Sequence, residues 1–429
     1  MGQTAGRPLR FPDRRVKIHF MRKQRIALGL LLVVVLQFVS FCWLTPIAHA
    51  LTEEQKLYLE AWRIVSQAYV DPSFNGENWW LVRQKALQQP LDDREATYTA
   101  IQEMLAHLGD PFTRLLKPAQ YHNLQTTTTG ELTGIGLQIS TDPATGLLEV
   151  ITPIEGSPAA KAGLQPHDQI LLIDGISTKE LSLDEAAERM RGPIGSTVSL
   201  TIRHPQNQSD SQEIQLIRDR IALNPVQSEL RQTESGKLGY IRLNQFNANA
   251  TEQMTQAIRE LEKQGADRYI LDLRGNPGGL LQAGIEIAQQ WLEPGNSIVY
   301  TVDRQGIMGS FSADRAPLTT DPLVVLVNGG TASASEILAG ALQDTGRAKL
   351  VGEKTFGKGS IQSLFNLSDG AGLAVTIAHY ETPNHHDINK VGIQPDVVVP
   401  LTPLSLGQVG SAADSQYQAA VQLLHPSPG

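Results

Sequence analysis

The sequence predicts an α+β multidomain chain. It has a helical N-terminal domain, a β-rich middle module and a C-terminal α/β domain with a mixed sheet covered by helices. Three observations carry this. Between 51 and 108, apolar residues recur at helical spacing and each run stops at Pro or Gly. From 126 to about 219 the pattern shortens to strands and turns. From Lys237 onward, short apolar runs alternate with amphipathic helices, the pattern of strands joined by crossovers.

Taken in order, residues 1–50 read as an export signal. Eight basic residues lead into the apolar run Ile26 to Leu44, followed by Ala48-His49-Ala50. Cleavage after Ala50 is expected, with a retained membrane anchor as the alternative. Residues 51–125 form the helical domain. Thr52 caps a run carrying Leu57, Ala61, Ile64, Val65 and Ala68, and Asp71-Pro72 stops it. Trp79 to Gln88 and Asp93 to Leu108 read as two more helices, ended by Pro90 and by Gly109-Asp110-Pro111, with Trp62, Trp79 and Trp80 as core anchors. The polar run Gln125 to Thr129 marks a boundary. In 126–220, Leu147 to Ile151, Gln169 to Ile173 and Thr197 to Arg203 read as strands, Pro158 to Ala162 and Leu183 to Met190 as helices. In 221–400, Leu238 to Phe246 reads as a strand, Arg268 to Gly279 as a strand entering a glycine turn, and Thr251 to Gln264 and Ile285 to Leu292 as helices. The tail 401–429 is rich in Pro, Ser and Gly around one short helix at Gln416 to Leu424 and suggests no chemistry.

Charge and cysteine content exclude several function classes. The 429-residue chain has a formal charge of -8 from 36 basic and 44 acidic residues. Eight of the basic residues but only Asp13 of the acids lie in 1–50, so the remainder carries a net -15. Nucleic acid is a poor partner for such a chain. The single cysteine, Cys42, sits in the signal. The exported part therefore offers no thiol nucleophile, disulfide or cysteine-bound metal.

The stretch with chemistry is Leu323 to Leu364. An apolar strand, Leu323 to Val327, breaks at Gly329-Gly330, and a helix from Ser335 to Leu342 follows Thr331-Ala332-Ser333-Ala334. A serine at such a turn faces the free N–H groups of a helix start. Lys358 lies between Gly357 and Gly359, and no histidine is near in sequence, so the arrangement points to a Ser–Lys hydrolase. A lysine acts as a base only when burial lowers its pKa. Gln362, a neutral amide, can hold the amine without restoring its charge. The scissile carbonyl's developing charge needs aimed N–H donors, for which Ala334 and Gly278 or Gly279 are the candidates. Glu336 caps the nucleophile's helix, which also carries Asp344. A phosphate-loop reading of Gly352 to Lys358 fails because Gly359 stands where Ser or Thr is required. His379, His385, His386 and Asp387 form no zinc pattern. No metal or cofactor is expected.

Two resemblances add to this. Gly134-Ile135-Gly136-Leu137 resembles the carboxylate-binding loop of a PDZ domain, and Gly156 to Gly175 and Met190 to Arg203 resemble its later stretches in the right order. Glycines there let backbone N–H groups converge on a free C-terminus, while an adjacent strand edge pairs with the peptide. From Leu51 to Pro400, with "TASASE", "GEKTFGKGSIQ" and "VGIQPD" in family order, the chain resembles the carboxyl-terminal processing proteases, serine peptidases with an embedded PDZ domain. That resemblance implies Ser333 as nucleophile, Lys358 as base and Gln362 as its partner. It further implies Ala334 with Gly278 or Gly279 as oxyanion donors, Glu336, Thr355 and Asp344 in support, and Arg191 as a regulatory contact from the PDZ domain to the protease domain. The opening Ala50 to Trp80 resembles the branch that removes the C-terminal extension of the photosystem II D1 precursor, a membrane-embedded substrate, in the thylakoid lumen. Two alternatives remain: a broad tail-degrading periplasmic protease, and a non-catalytic PDZ adaptor.

Overall fold

The computed structural model describes residues 51–142, 145–154, 156–204, 211–234, 236–400, 402 and 408–425. Residues from Glu54 onward group as one compact unit. The expected signal, with Cys42, lies outside the described residues. Among the described residues no helix is long and apolar enough to cross a membrane.

Three helices open the chain: α1 (Glu53–Ala68), α2 (Trp79–Leu87) and α3 (Arg94–Ala106). Asn78 and Asp93 start the second and third by accepting from the Leu81 and Ala96 N–H at 3.1 and 2.8 Å. Leu57, Tyr58, Ala61 and Val65 bury one stripe of α1 against Ile101 and Met104 of α3. Of the expected tryptophan anchors, Trp79 is buried, but Trp80 is 53 % exposed, with the Arg83 guanidinium over its ring.

The chain then makes β1 (Arg114–Leu116) and α4 (Pro118–Thr129), neither of which the sequence reading contained. The threonine run is the end of a helix. Thr126, Thr127 and Thr128 hydroxyls each donate to the carbonyl four residues back, at 2.7–3.0 Å. Those bonds satisfy the hydroxyls within the helix without making up for the low helix propensity of β-branched residues.

In the middle module β3 (Leu137–Thr141), β4 (Leu148–Pro153), β5 (Gln169–Ile173), β7 (Thr197–Arg203) and β8 (Gln212–Ile217) lie side by side in that order, with β6 (Ile176–Ser177) on β5. Helices α5 (Pro158–Lys161) and α6 (Leu183–Met190) accompany this sheet. Val150, Ile170, Val198 and Leu200 fill a core of the module's own. Its entry and exit, β2 (Glu131–Gly134) and β9 (Asp219–Ala222), pair antiparallel, so the two chain crossings lie together.

The C-terminal region holds two sheets. The first runs β10 (Val226–Thr233), β11 (Gly236–Leu243), β12 (Arg268–Asp272), β15 (Leu323–Val327), β16 (Ala348–Gly352) and β19 (Val397–Val398), parallel except at β10–β11. Helices α7 (Ala250–Lys263), α8 (Leu281–Gln289) and α9 (Ala334–Asp344) bury their apolar stripes in the main core. The C-terminal α10 (Ser415–Leu423) packs on strand residues Ile270, Val324 and Val351. A second, antiparallel sheet goes beyond the one expected. In it β18 (Gly372–Glu381) pairs with β1, with β13 (Ser297–Asp303) and with β17 (Ser360–Asn366), and β14 (Gly306–Ser312) pairs with β13. Leu367, Leu373 and Val375 from this sheet region belong to the helical domain's core.

Candidate active site

Strands β12 and β15 are parallel neighbours, so their C-terminal ends open on the same side. After β15, three small hydroxyl residues sort themselves by burial. Thr331 donates to the Leu273 carbonyl at 2.9 Å and Ser335 to the Asn276 carbonyl at 3.0 Å, both buried. Ser333 instead lines a cleft of about 490 Å³ shared with Lys358 and Gln362. Its backbone is strained, with φ 59°, a conformation that L-residues visit rarely. Such a turn lifts the side chain out at the start of α9.

Glu336 holds that turn to the lysine loop. Its carboxylate is fully buried. One oxygen accepts from the Ser333 N–H (2.9 Å) and the Lys358 N–H (2.9 Å). The other accepts from the Thr355 hydroxyl (2.6 Å) and the Gly357 N–H (2.7 Å). Four donors satisfy a buried charge that would otherwise be costly. Thr355 also accepts from the Ile393 N–H at 2.7 Å.

After β12, the glycine turn meets the serine turn. A Cβ on Gly278 would sit 2.8 Å from Ser333 Cβ and 2.9 Å from the Ala334 nitrogen, so only glycine fits. The Gly278 N–H donates to Asn276 Oδ1 at 2.9 Å. The N–H groups of Gly279 and Ala334 donate to no described residue. Ala334 and Gly279 both line the cleft.

Lys358 is half-buried, its Nζ 5.0 Å from the centroid of the Phe112 ring. Burial pushes its pKa below the ordinary lysine value and the Arg114 guanidinium adds to this, while Asp110 and Glu336 pull the other way. No hydrogen bond joins its amine to Ser333. Nor does Gln362 touch the amine: its Nε2 donates to Ser360 Oγ (2.8 Å) and Thr376 Oγ1 (3.3 Å). The Thr376 hydroxyl donates to Asp110 at 2.6 Å, tying β17 and β18 to the loop before β1.

Two expected site residues lie elsewhere. Asp344, the last residue of α9, accepts from the Asn384 N–H at 2.9 Å, at the opposite end of the helix from Ser333. The Arg191 guanidinium donates to Asn123 on α4 (2.5 Å) and pairs with Glu188, so its contact is with the linker helix and not with the protease core. In the middle module, Gly136 has φ 77°, and a Cβ there would lie 2.3 Å from Ser157 Cβ. Ile135 is buried, while Leu137 begins β3, whose outer edge no described strand occupies.

Sequence reasoning missed four contributors. Phe112 and Arg114 follow Gly109-Asp110-Pro111, which reads only as a helix stop. Asn276 lies within the glycine turn. Tyr380, in β18 of the second sheet, places its hydroxyl 2.6 Å from the Lys358 carbonyl and 3.0 Å from that of Ser333, 22 and 47 residues away in sequence. A usable signal existed only for Arg114, a charge following a Pro-terminated helix.

Known proteins match this arrangement. Residues 237–399 match the model of Peptidase family S41 and residues 149–204 that of the PDZ domain. A carboxyl-terminal-processing protease of Picosynechococcus sp. is 60 % identical over 407 residues, 94 % of this chain and 97 % of that protein. One from Synechocystis sp. is 62 % identical over 381 residues, 89 % of each chain. Among solved structures, a photosystem II D1 C-terminal processing protease superposes with a TM-score of 0.55 at 44 % identity, covering 85 % of this chain and 99 % of that one. Two relatives of such identity across nearly the full length, together with the family match over the sheet that carries Ser333, show that the chain belongs to Peptidase family S41 as a PDZ-bearing serine peptidase of the carboxyl-terminal-processing kind.

Proposed function

We propose that the chain is an endopeptidase that captures free protein C-termini with its PDZ domain and cuts them with a Ser333–Lys358 dyad. The observation that carries this reading is Glu336, one oxygen of which accepts the backbone N–H of both residues. Neutral Lys358 takes the Ser333 hydroxyl proton as Oγ bonds to the scissile carbonyl carbon. The new oxyanion meets the N–H groups of Gly279 and Ala334, the turn's uncommitted donors. The lysine ammonium then gives its proton to the departing amine, leaving an acyl ester on Ser333. Water then adds to the ester carbonyl and loses a proton to the neutral lysine. The lysine ammonium returns that proton to Ser333 Oγ as the ester bond breaks, which frees the carboxylic acid product and restores both residues. The amine must turn from Phe112 towards Ser333 for this, with the Gln362 carbonyl oxygen as a resting partner for it.

Gly136 brings its backbone against Ser157, and the outer edge of β3 lies beside it, so a peptide tail can add as a strand with its carboxylate in the glycine loop. The substrate we propose is a D1-type precursor with a C-terminal extension, met in the thylakoid lumen or periplasm after export through residues 1–50. Likeness to the D1 processing protease supports it. The test incubates the chain with a D1-type C-terminal peptide, its amidated form and unrelated tails, and identifies products by mass. The free acid should be cut and the amide poorly. In Ser333→Ala, cleavage should fall by roughly 10⁴-fold or more while peptide binding persists. Equal cutting of all tails would replace the dedicated substrate with a broad one, and equal cutting of acid and amide would end the capture of the terminus.

A further inference from the structure

We propose that Tyr380 is a positioning residue for the base: its hydroxyl holds the Lys358 carbonyl to β18, beside Ser333, and so sets where the amine can reach. This rests on the dyad reading above. Tyr380 is 1 % exposed, and its N–H donates to the Gly359 carbonyl at 2.9 Å, placing the ring under the lysine loop. The hydroxyl lies 2.6 Å from the Lys358 carbonyl and 3.0 Å from that of Ser333.

A phenol has one proton for these two acceptors. The Ser333 carbonyl already accepts from the Glu336 and Ile337 N–H groups at 2.8 and 3.0 Å. The Lys358 carbonyl has no other described donor. The proton therefore belongs to Lys358, with Ser333 as the fixed point beside it. Burial, reinforced by the Glu336 and Asp387 charges, raises the phenol's pKa well above its ordinary value, so it stays a donor at any working pH.

Lys358 needs such a latch. Gly357 and Gly359 flank it, and glycine resists conformational fixing. Its backbone is held at the N–H by Glu336 and at the carbonyl by Tyr380, and its amine makes no hydrogen bond. Removing the hydroxyl frees the carbonyl side, and the amine spreads into positions unfit for proton transfer, some of them wetter. The charged and aromatic groups facing that amine are Asp110, Phe112 and Arg114 from the first domain and Glu336 from α9.

The experiment compares the full chain with Tyr380→Phe on an internally quenched peptide with an apolar C-terminus and a free carboxylate, across pH, with Ser333→Ala as control and thermal melting of each. Tyr380→Phe should lower kcat by about tenfold to a hundredfold with little change in KM. Its acid limb should move to higher pH, because a better-solvated amine needs higher pH to lose its proton. A variant that merely folds less would lose rate with the limb unmoved, and that outcome overturns the proposal. So does a wild-type kcat and limb in a folded variant. If Tyr380→Phe does not fold, a fluorinated tyrosine at 380 keeps the shape and strengthens the donor, and an unaltered kcat and limb there is equally fatal. Cleavage surviving Ser333→Ala overturns the dyad, and the latch with it.

Discussion

The helical domain reaches the cleft, where Arg114 lines it, whereas among the described residues none of those lining it comes from the PDZ domain; the two are attached in opposite ways. The helical domain has no boundary of its own. Its core includes Leu367, Leu373 and Val375, its β1 pairs with β18, and the loop from Asp110 to Arg114 brings Phe112 to the lysine amine. The PDZ domain closes a core without outside help and meets the rest through the paired β2 and β9 and the Arg191 contact with Asn123. Shared apolar burial makes the first inseparable from the active site, since exposing that surface costs about 25 cal/mol per Å². A domain with its own core can be moved or removed. The first should govern chemistry and the second capture.

The largest test of this contrast is deletion. A chain without residues 54–116 should fail to unfold cooperatively, because it exposes Leu373 and Val375. One with 131–222 replaced by a short linker should melt cooperatively and still cut, with a raised KM. Melting curves and peptide kinetics decide, and a stable, active chain without the helical domain breaks the comparison. Next comes Phe112→Ala, which opens the amine to water. The neutral fraction near pH 7 should fall by about tenfold for each unit the lysine pKa rises, and kcat should fall with it at unchanged KM. On the other side stands Gly136→Ala, whose added methyl collides with Ser157 and is strained at φ 77°. It should raise KM by about tenfold, equivalent to ~1.4 kcal/mol of capture, and leave kcat alone. A fall in kcat instead would tie capture to chemistry.

Arg114→Gln is the smallest effect and the most diagnostic in sign. The guanidinium repels the ammonium form of Lys358 and so lowers its pKa. The working base is neutral, so the rate climbs as pH passes that pKa. Without Arg114 the pKa rises and the acid limb moves up, only slightly because the charge is exposed. In 1 M salt, where the screening length is about 3 Å, wild type and variant should converge. An unmoved or downward limb would mean that the Arg114 charge does not set the amine's pKa.

Much of this was legible in advance where the physics is local. The helices α1 to α3, the strands around Ser333 and the serine turn itself follow from periodicity and from glycine and proline punctuation. Ser333 and Lys358 lie 25 residues apart on either side of one strand, β16. The threonine run misled because β-branched residues are weak helix formers, whereas this helix is entered through Pro118 and held by Tyr121 buried against Leu116 and Ala374.

Residue pattern alone pointed to a hydroxyl at a strand–helix turn, a lysine between two glycines and a glycine pair as candidate oxyanion donors. That the strands before them are parallel neighbours came from the fold. Which groups aim them was decided by tertiary structure. Tyr380 reaches the Lys358 carbonyl only because β18 passes the lysine loop, and Phe112 reaches the Lys358 amine only because β1 pairs with β18. Asp344 was carried away by the length of its own helix. Periodicity reports which face of an element is buried; it holds no information on which buried face, from a strand far along the chain, will be set against it.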